Sequence, residues 1–196
     1  MKKYLNTTID CECGRKHHIP IKDIVIEEGA LYKTPELLNK LTSKNKVYLI
    51  CDQNTYEAAG KKLNKILKKA DYEVEIVCLG EDKVIPSPEY LFKILEKIDK
   101  DGYLIACGSG TINDLTRFIS YKLDQPYLIA GTAPSMDGYA SSVSSITVDG
   151  VKKTYRVAPP EAIVADISVL KQAPWELIQA GFGDLLGKVT SIMDWK

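Results

Sequence analysis

Residues Tyr103–Arg117 read YLIACGSGTINDLTR, and the order of residue types in that stretch decides the fold. Tyr103–Cys107 is a short continuous apolar run, the composition of a strand covered on both faces. It stops at Gly108-Ser109-Gly110, and a helical spacing begins at once, with Leu115, Phe118 and Ile119 on one face. Thr111 and Asp114 stand at the spacing of a capping box, which sets the expected helix start. A strand, a glycine turn and a helix N-terminus together offer bare backbone N–H groups and about half a positive charge, so a phosphate or pyrophosphate is the natural guest. A tight turn that binds nothing is the competing reading, because a lone G-x-G is a weak motif.

The same alternation extends outward in both directions. On the N-terminal side, strands are expected at Asp23–Glu28, at KVYLIC (Lys46–Cys51) and at Glu73–Leu79. Helices are expected after Pro35, from the Asp52–Thr55 loop to about Ala70, and over Pro88–Lys100, with a loop at Gly80–Pro88. On the C-terminal side, PYLIA (Pro126–Ala130) is a strand. Ser144–Val148 and Val151–Val157 flank an Asp149-Gly150 hairpin turn, and Ala162–Asp166 is a further strand. After a single turn at Ser168–Gln172, a long apolar helical pattern starts at Pro174 and runs to Lys196 without a cap. Short apolar strands alternating with helices predict an α/β fold, a doubly wound and mostly parallel sheet with a β-hairpin insertion. The expected division is a polar segment over 1–23, a dinucleotide-binding domain over 24–172, and the first helix of an all-α domain over 173–196.

Bulk properties narrow the partners. The 196 residues carry 26 basic and 26 acidic side chains, so no net field favours nucleic acid or a membrane surface. The lysines at 61, 62, 65, 68 and 69 have the spacing of a solvated helix face. No apolar run approaches a membrane span, the first residues lack the apolar core of a signal peptide, and five cysteines do not suggest a disulfide scaffold, so cytoplasm is expected. Cys11, Cys13 and His17 have the residue types of a metal knuckle, but the one-residue gap is tighter than usual and a short hairpin with a Gly turn is the expectation.

Parallel sheets bind ligands at the carboxyl ends of their strands. Three loops there carry suitable chemistry: Asp52–Thr55, Gly108–Asp114 and Gly131–Ser142. Asp52 is placed either to accept ribose hydroxyls or to cap the following helix. Gly131–Gly138 could present Thr132, Ser135 and Asp137 to a polar ligand. Asp184, following Gly181 and Gly183 in an apolar helical pattern, either caps a turn or ligates a cation. The two histidines stand far from every candidate loop, so no Ser/His triad is legible.

YLIACGSGTINDLTR, PYLIAGTAPSMDGYASS, KTYRVAPPEAIVAD and AGFGDLLGK together resemble the superfamily of glycerol dehydrogenases, iron-type alcohol dehydrogenases and 3-dehydroquinate synthases, and within it the bacterial type of sn-glycerol-1-phosphate dehydrogenase. The resemblance spans about residue 25 onward. It implies a dehydroquinate-synthase-like nucleotide domain followed by an all-helical metal domain. The implied reaction is reversible hydride transfer between NAD(P)H and dihydroxyacetone phosphate, with Zn²⁺ or Ni²⁺ as Lewis acid. It assigns Asp52, Asn54 and Thr55 to the adenosine side, and Gly108, Ser109, Gly110 and Asp114 to the pyrophosphate. Thr132 and Ser135 fall to the nicotinamide half, Asp137 to the substrate side as the catalytic candidate, and Ser141 and Lys152 to the cofactor's vicinity. Asp184 matches the first metal ligand, while the family's two further histidine ligands have no counterpart here. The expectation is therefore a truncated, inactive and self-associating half of an enzyme with NAD favoured, a phosphorylated polyol or ketone substrate, a homo-oligomeric state and a family-level link to phospholipid metabolism. The alternatives are a dehydroquinate-synthase-like lyase, which would need more basic side chains in these loops, and a stand-alone nucleotide-binding module.

Overall fold

The computed structural model describes residues 2–80 and 83–194. Its strands are β1 (Thr7–Asp10), β2 (Lys16–Ile19), β3 (Asp23–Glu27), β4 (Lys46–Cys51), β5 (Glu73–Cys78), β6 (Tyr103–Gly108), β7 (Tyr127–Gly131), β8 (Val143–Val148), β9 (Val151–Arg156) and β10 (Ala162–Asp166). Its helices are α1 (Thr34–Leu41), α2 (Gln53–Thr55), α3 (Lys61–Lys69), α4 (Pro88–Leu95), α5 (Gly110–Leu123), α6 (Ile167–Leu170) and α7 (Trp175–Asp194). The expected Gly80–Pro88 loop includes residues 81–82, and the expected helix end at 196 also falls outside the described residues.

Six strands form one parallel sheet in the order β3-β10-β7-β6-β4-β5. From β4 the chain winds outward to β5, then crosses back to place β6 on the other side of β4. The winding direction therefore reverses between β4 and β6, and a crevice opens beyond their carboxyl ends. Asp52 follows one of these strands and Ser109 the other.

The sheet is covered on both faces, as the apolar runs require. Val47, Leu49 and Cys51 pack with Leu31, Leu38 and Leu63, whereas Tyr48 and Ile50 pack on the opposite side with Ile94, Leu115 and Ile119. The hairpin β8–β9 turns at Asp149 and Gly150, both left-handed (φ 52° and 75°), and its Tyr155 meets Phe118 of α5 edge-on at 5.1 Å. No helix among the described residues is long and apolar enough to cross a membrane.

Three expectations are corrected. The helix expected over Pro88–Lys100 ends at Leu95. Tertiary hydrogen bonds capture the chain beyond it: Gln125 donates to the carbonyls of Asp99 (3.1 Å) and Gly102 (2.6 Å), and the Asp99 N–H donates to the Tyr48 hydroxyl (3.1 Å). The helix expected up to Ala70 is interrupted by a π turn at Tyr56–Gly60, where a Cβ on Gly60 would lie 2.8 Å from the Tyr56 ring. The capping box of Thr111 and Asp114 does not form; α5 starts from Ser109, whose side chain makes no capping bond.

Candidate cofactor site

That missing cap is the centre of the site. The first N–H of α5 returned to the preceding turn is that of Asn113, bonded to the Ser109 carbonyl at 3.0 Å. The groups ahead of it, at Gly110–Ile112, have no side-chain cap and point toward the crevice mouth as helix N-terminal donors do. The two glycines beside them differ in purpose. A Cβ on Gly108 would press to 2.6 Å on Ile112, so this glycine lets the strand end lie against α5. A Cβ on Gly110 would meet only Met136, at 3.8 Å. Nothing in the protein forces glycine there, and the space above it is open to a ligand.

A cleft of about 480 Å³ lies over this helix start, lined by Gly110, Thr111, Asp114, Ser141 and Lys152 among others. It brings together residues from α5, the loop after β7 and the β8–β9 hairpin. The hairpin is thus a wall of the site rather than a decoration. Asp114 faces that wall from α5 as an acceptor. Burial pushes its carboxyl above the usual range, against the pull of Arg117, the Ser145 N–H and Lys152. A carboxylate does not bind phosphate; Lys152 and the N–H groups of α5 are the anion-seeking members of the cleft.

Arg117 has no role in the sequence reading, yet it builds the cleft. It is 1 % exposed. Its Nε donates to the Tyr127 hydroxyl (3.0 Å), Nη1 to Asp114 (3.1 Å) and the Val143 carbonyl (2.6 Å), and Nη2 to the carbonyls of Gly138 (2.7 Å) and Tyr139 (3.1 Å). One guanidinium fork therefore fastens the loop after β7 and the hairpin to α5. An arginine three residues after an acid on one helix face was the available signal, and it looked like any surface pair.

The remaining candidates fall to either side. Asp52 caps α2, accepting from the Thr55 N–H at 2.7 Å while Thr55 Oγ1 accepts from the Asp52 N–H at 3.0 Å. The capping alternative is therefore real, and the carboxylate also stands at the β4 side of the crevice. Asn54 lies in the same short turn. Thr132 is buried, with its N–H on the Gly108 carbonyl at 3.1 Å, and Ser135 is half-buried in the loop beyond it.

Asp137 and Asp184 meet across 47 residues of chain: the Asp137 N–H donates to Asp184 Oδ2 at 2.8 Å. Lys188, which sequence reasoning missed, sits between them, 3.0 Å from Asp137 and 3.7 Å from Asp184. Helix α7 reaches this position because Gly181 lies against the Pro134 carbonyl, where a Cβ would overlap backbone. Asp184 therefore neither caps its own helix nor gathers a ligand set. The Asp137 and Asp184 carboxylates are instead both engaged by the Lys188 ammonium, and among the described residues a group of three metal-ligand side chains lies on the β1–β2 hairpin. Burial lifts the Cys107 thiol to about 12 and pushes that of Cys51 higher still, so neither is a nucleophile.

The sequence profile of the family described as iron-containing alcohol dehydrogenase matches residues 25–174. The chain is similar to the glycerol-1-phosphate dehydrogenase [NAD(P)+] of Bacillus velezensis, with 36 % identity over 98 % of this chain and 50 % of the relative. It is also similar to the protein of the same name from Geobacillus thermodenitrificans, with 38 % identity over 94 % of this chain and 47 % of the relative. Among solved structures, the iron-containing alcohol dehydrogenase of Thermotoga maritima superposes with a TM-score of 0.74 over 85 % of this chain and 52 % of that one, at 17 % identity. The chain thus spans about half the length of the curated relatives it matches.

Proposed function

This chain belongs to the iron-containing alcohol dehydrogenase family, and from that premise we propose that residues 24–172 are the NAD(P)-binding domain of an oxidoreductase interconverting dihydroxyacetone phosphate and sn-glycerol 1-phosphate. The observation that carries the reading is the uncapped start of α5 beneath an open glycine, at the point where the sheet's winding reverses. A pyrophosphate fits that cradle through the N–H groups at Gly110–Ile112, with Lys152 as the facing cation. Asp52 accepts ribose hydroxyls, and its charge disfavours a 2′-phosphate, so NAD is favoured over NADP. When bound, the nicotinamide supplies a hydride to a ketone carbonyl.

Thr132 and Ser135 then border the nicotinamide half, Ser141 lines the cofactor cleft, and Asp137 with Lys188 forms the substrate-side edge. Asp184 is the metal-ligand candidate that residues 173–196 bring to the active centre, where a divalent metal would polarise the ketone carbonyl. The apolar face of α7, with Phe182, Leu185, Leu186 and Val189 exposed, calls for a helical cover and fits a homo-oligomer. The free cysteines fit a reducing, cytoplasmic setting.

Replacing Gly110 by alanine tests the cofactor seat. Because the new methyl makes ordinary contact with Met136, thermal stability should hold, while NADH affinity measured by calorimetry falls at least about tenfold. Equal binding by the variant, or no binding of NADH or NADPH by the parent, refutes the seat. The substrate is tested on the protein at its relatives' length, loaded with divalent metal, by following NADH oxidation with dihydroxyacetone phosphate. Turnover of other ketones but not this one refutes the substrate assignment and leaves the seat standing.

A further inference from the structure

The β1–β2 hairpin pairs with no strand of the six-stranded sheet and meets the core through the half-buried Ile19, but no residue of either strand is buried. A lone two-stranded ribbon is marginal in water. Its tip is nevertheless well formed. The Cys11 N–H donates to the Arg15 carbonyl at 3.1 Å and the Gly14 N–H to the Cys11 carbonyl at 2.9 Å. Gly14 takes the left-handed conformation (φ 79°) that this turn requires. The turn folds Cys13 back over β2 so that its Sγ lies 3.2 Å from His17 Nε2.

Cys11 completes the group: the three ligand atoms all lie within 4.8 Å of one another, and all three residues are exposed. Strand alternation sends His18 to the opposite face, where its Nδ1 meets Thr8 Oγ1 at 3.1 Å. Donor atoms around a tetrahedral zinc stand roughly 3.4–3.8 Å apart, a spacing these side chains reach by small rotations.

We propose that Cys11, Cys13 and His17 form a metal site that takes one Zn²⁺ per chain and clips the hairpin shut. Two thiolates and one neutral imidazole are soft and borderline donors, which select zinc over magnesium or calcium. The fourth position is left for water. Binding releases two protons, one from each thiol. The metal supplies the closure that burial does not, since it links the tip of the turn to β2. The one-residue gap that counted against a site in the sequence is absorbed by the turn, which carries Cys11 and Cys13 to the same side.

Cobalt(II) titration under reducing conditions tests this, because a thiolate-to-cobalt charge-transfer band arises only where sulfur is a ligand, and neither Asp184 nor Asp137 carries sulfur. One equivalent of Co²⁺ should give the band and Zn²⁺ should bleach it. Cys11→Ser and Cys13→Ser should each lose or sharply weaken it, His17→Ala should bind at least tenfold more weakly, and His18→Ala should match the parent. Zn²⁺ should also slow tryptic cleavage after Arg15 at least tenfold in the parent and not in the double variant C11S/C13S. Cobalt bound without the band, a band surviving in the double variant, or equal weakening by the two histidine substitutions overturns the assignment.

Discussion

Gly181→Ala is the substitution with the sharpest expected consequence. Gly181 is the buried residue through which α7 leans on the loop after β7, and a Cβ there would overlap the Pro134 carbonyl. Both sides of that contact are backbone, so no side-chain rotation relieves it. Overpacking of this kind costs about 1–3 kcal/mol, which lowers the docked-to-undocked ratio of α7 by a factor of about 5 to 150. Gly183 and Gly187 provide internal controls, because a Cβ on either meets nothing within 4 Å. Alanine at those two positions removes glycine's helix penalty and should stabilise α7 by about 0.5–1 kcal/mol. All three variants gain the same helix propensity, so only docking separates them. Hydrogen exchange read by mass spectrometry should show faster exchange over 175–194 in G181A and slower exchange in G183A and G187A, with α5 unchanged in each. Equal protection of α7 in G181A and G183A would refute the docking geometry and with it the meeting of Asp184 and Asp137.

Other substitutions probe separate parts of the fold. Arg117→Lys should destabilise the chain by about 3–5 kcal/mol in urea titration, since one ammonium cannot replace the fork and leaves buried acceptors unpaired. Retention of parental stability would show that the guanidinium is dispensable. Asp166 is buried among donors: burial raises its pKa, but the N–H groups of Gly29, Ser168 and Leu31, with Lys62, outweigh it and the net shift is downward. Its stabilising effect is therefore full above the unfolded-state value of roughly 4 and is lost as pH falls through the lower folded value. Asp166→Asn should flatten the acid limb of the melting profile and cost about 1.5–3 kcal/mol at neutral pH; an unchanged limb counts against it. Asp52→Ser keeps an N-cap while removing charge, so the NADPH-to-NADH affinity ratio should rise about tenfold in calorimetry. An unchanged ratio places the ribose elsewhere.

Periodicity made most of the sheet legible. KVYLIC, YLIACG and AIVAD are bounded by polar or turn residues, and Asp149-Gly150 has the residue types its turn requires. What escaped was decided by distant partners. The end of α4 is set by Gln125 and Tyr48, which nothing near Leu95 announces. The capping box failed because α5 begins at Gly110 with Ser109 as its N-cap, which leaves Thr111 inside the first turn, while Asp114 pairs with Arg117 instead. Arg117 and Lys188 escaped for the same reason: a charged side chain on a helix is read as solvated until its surroundings are known. The residue types of the three strand-end loops are local and visible in the sequence, whereas the cleft that α5 and the loop after β7 share with the hairpin depends on the tertiary fold.

The tie between Asp166 and the segment after β3 bears on the order in which the molecule is made. Asp166 reaches the Gly29 N–H across 137 residues, and β10 also pairs with β3 throughout its length. On a ribosome, β3 emerges early and finds its sheet neighbour only after that interval has been synthesised, roughly 7–27 s at 5–20 residues per second. Until then Val25 and the half-buried Ile24 lack the strand that flanks them in the finished sheet. The nascent chain therefore carries an unpaired apolar strand through that whole interval. β4 to β7 can assemble as a local nucleus in the meantime, and β3 joins last, once β10 has docked beside β7.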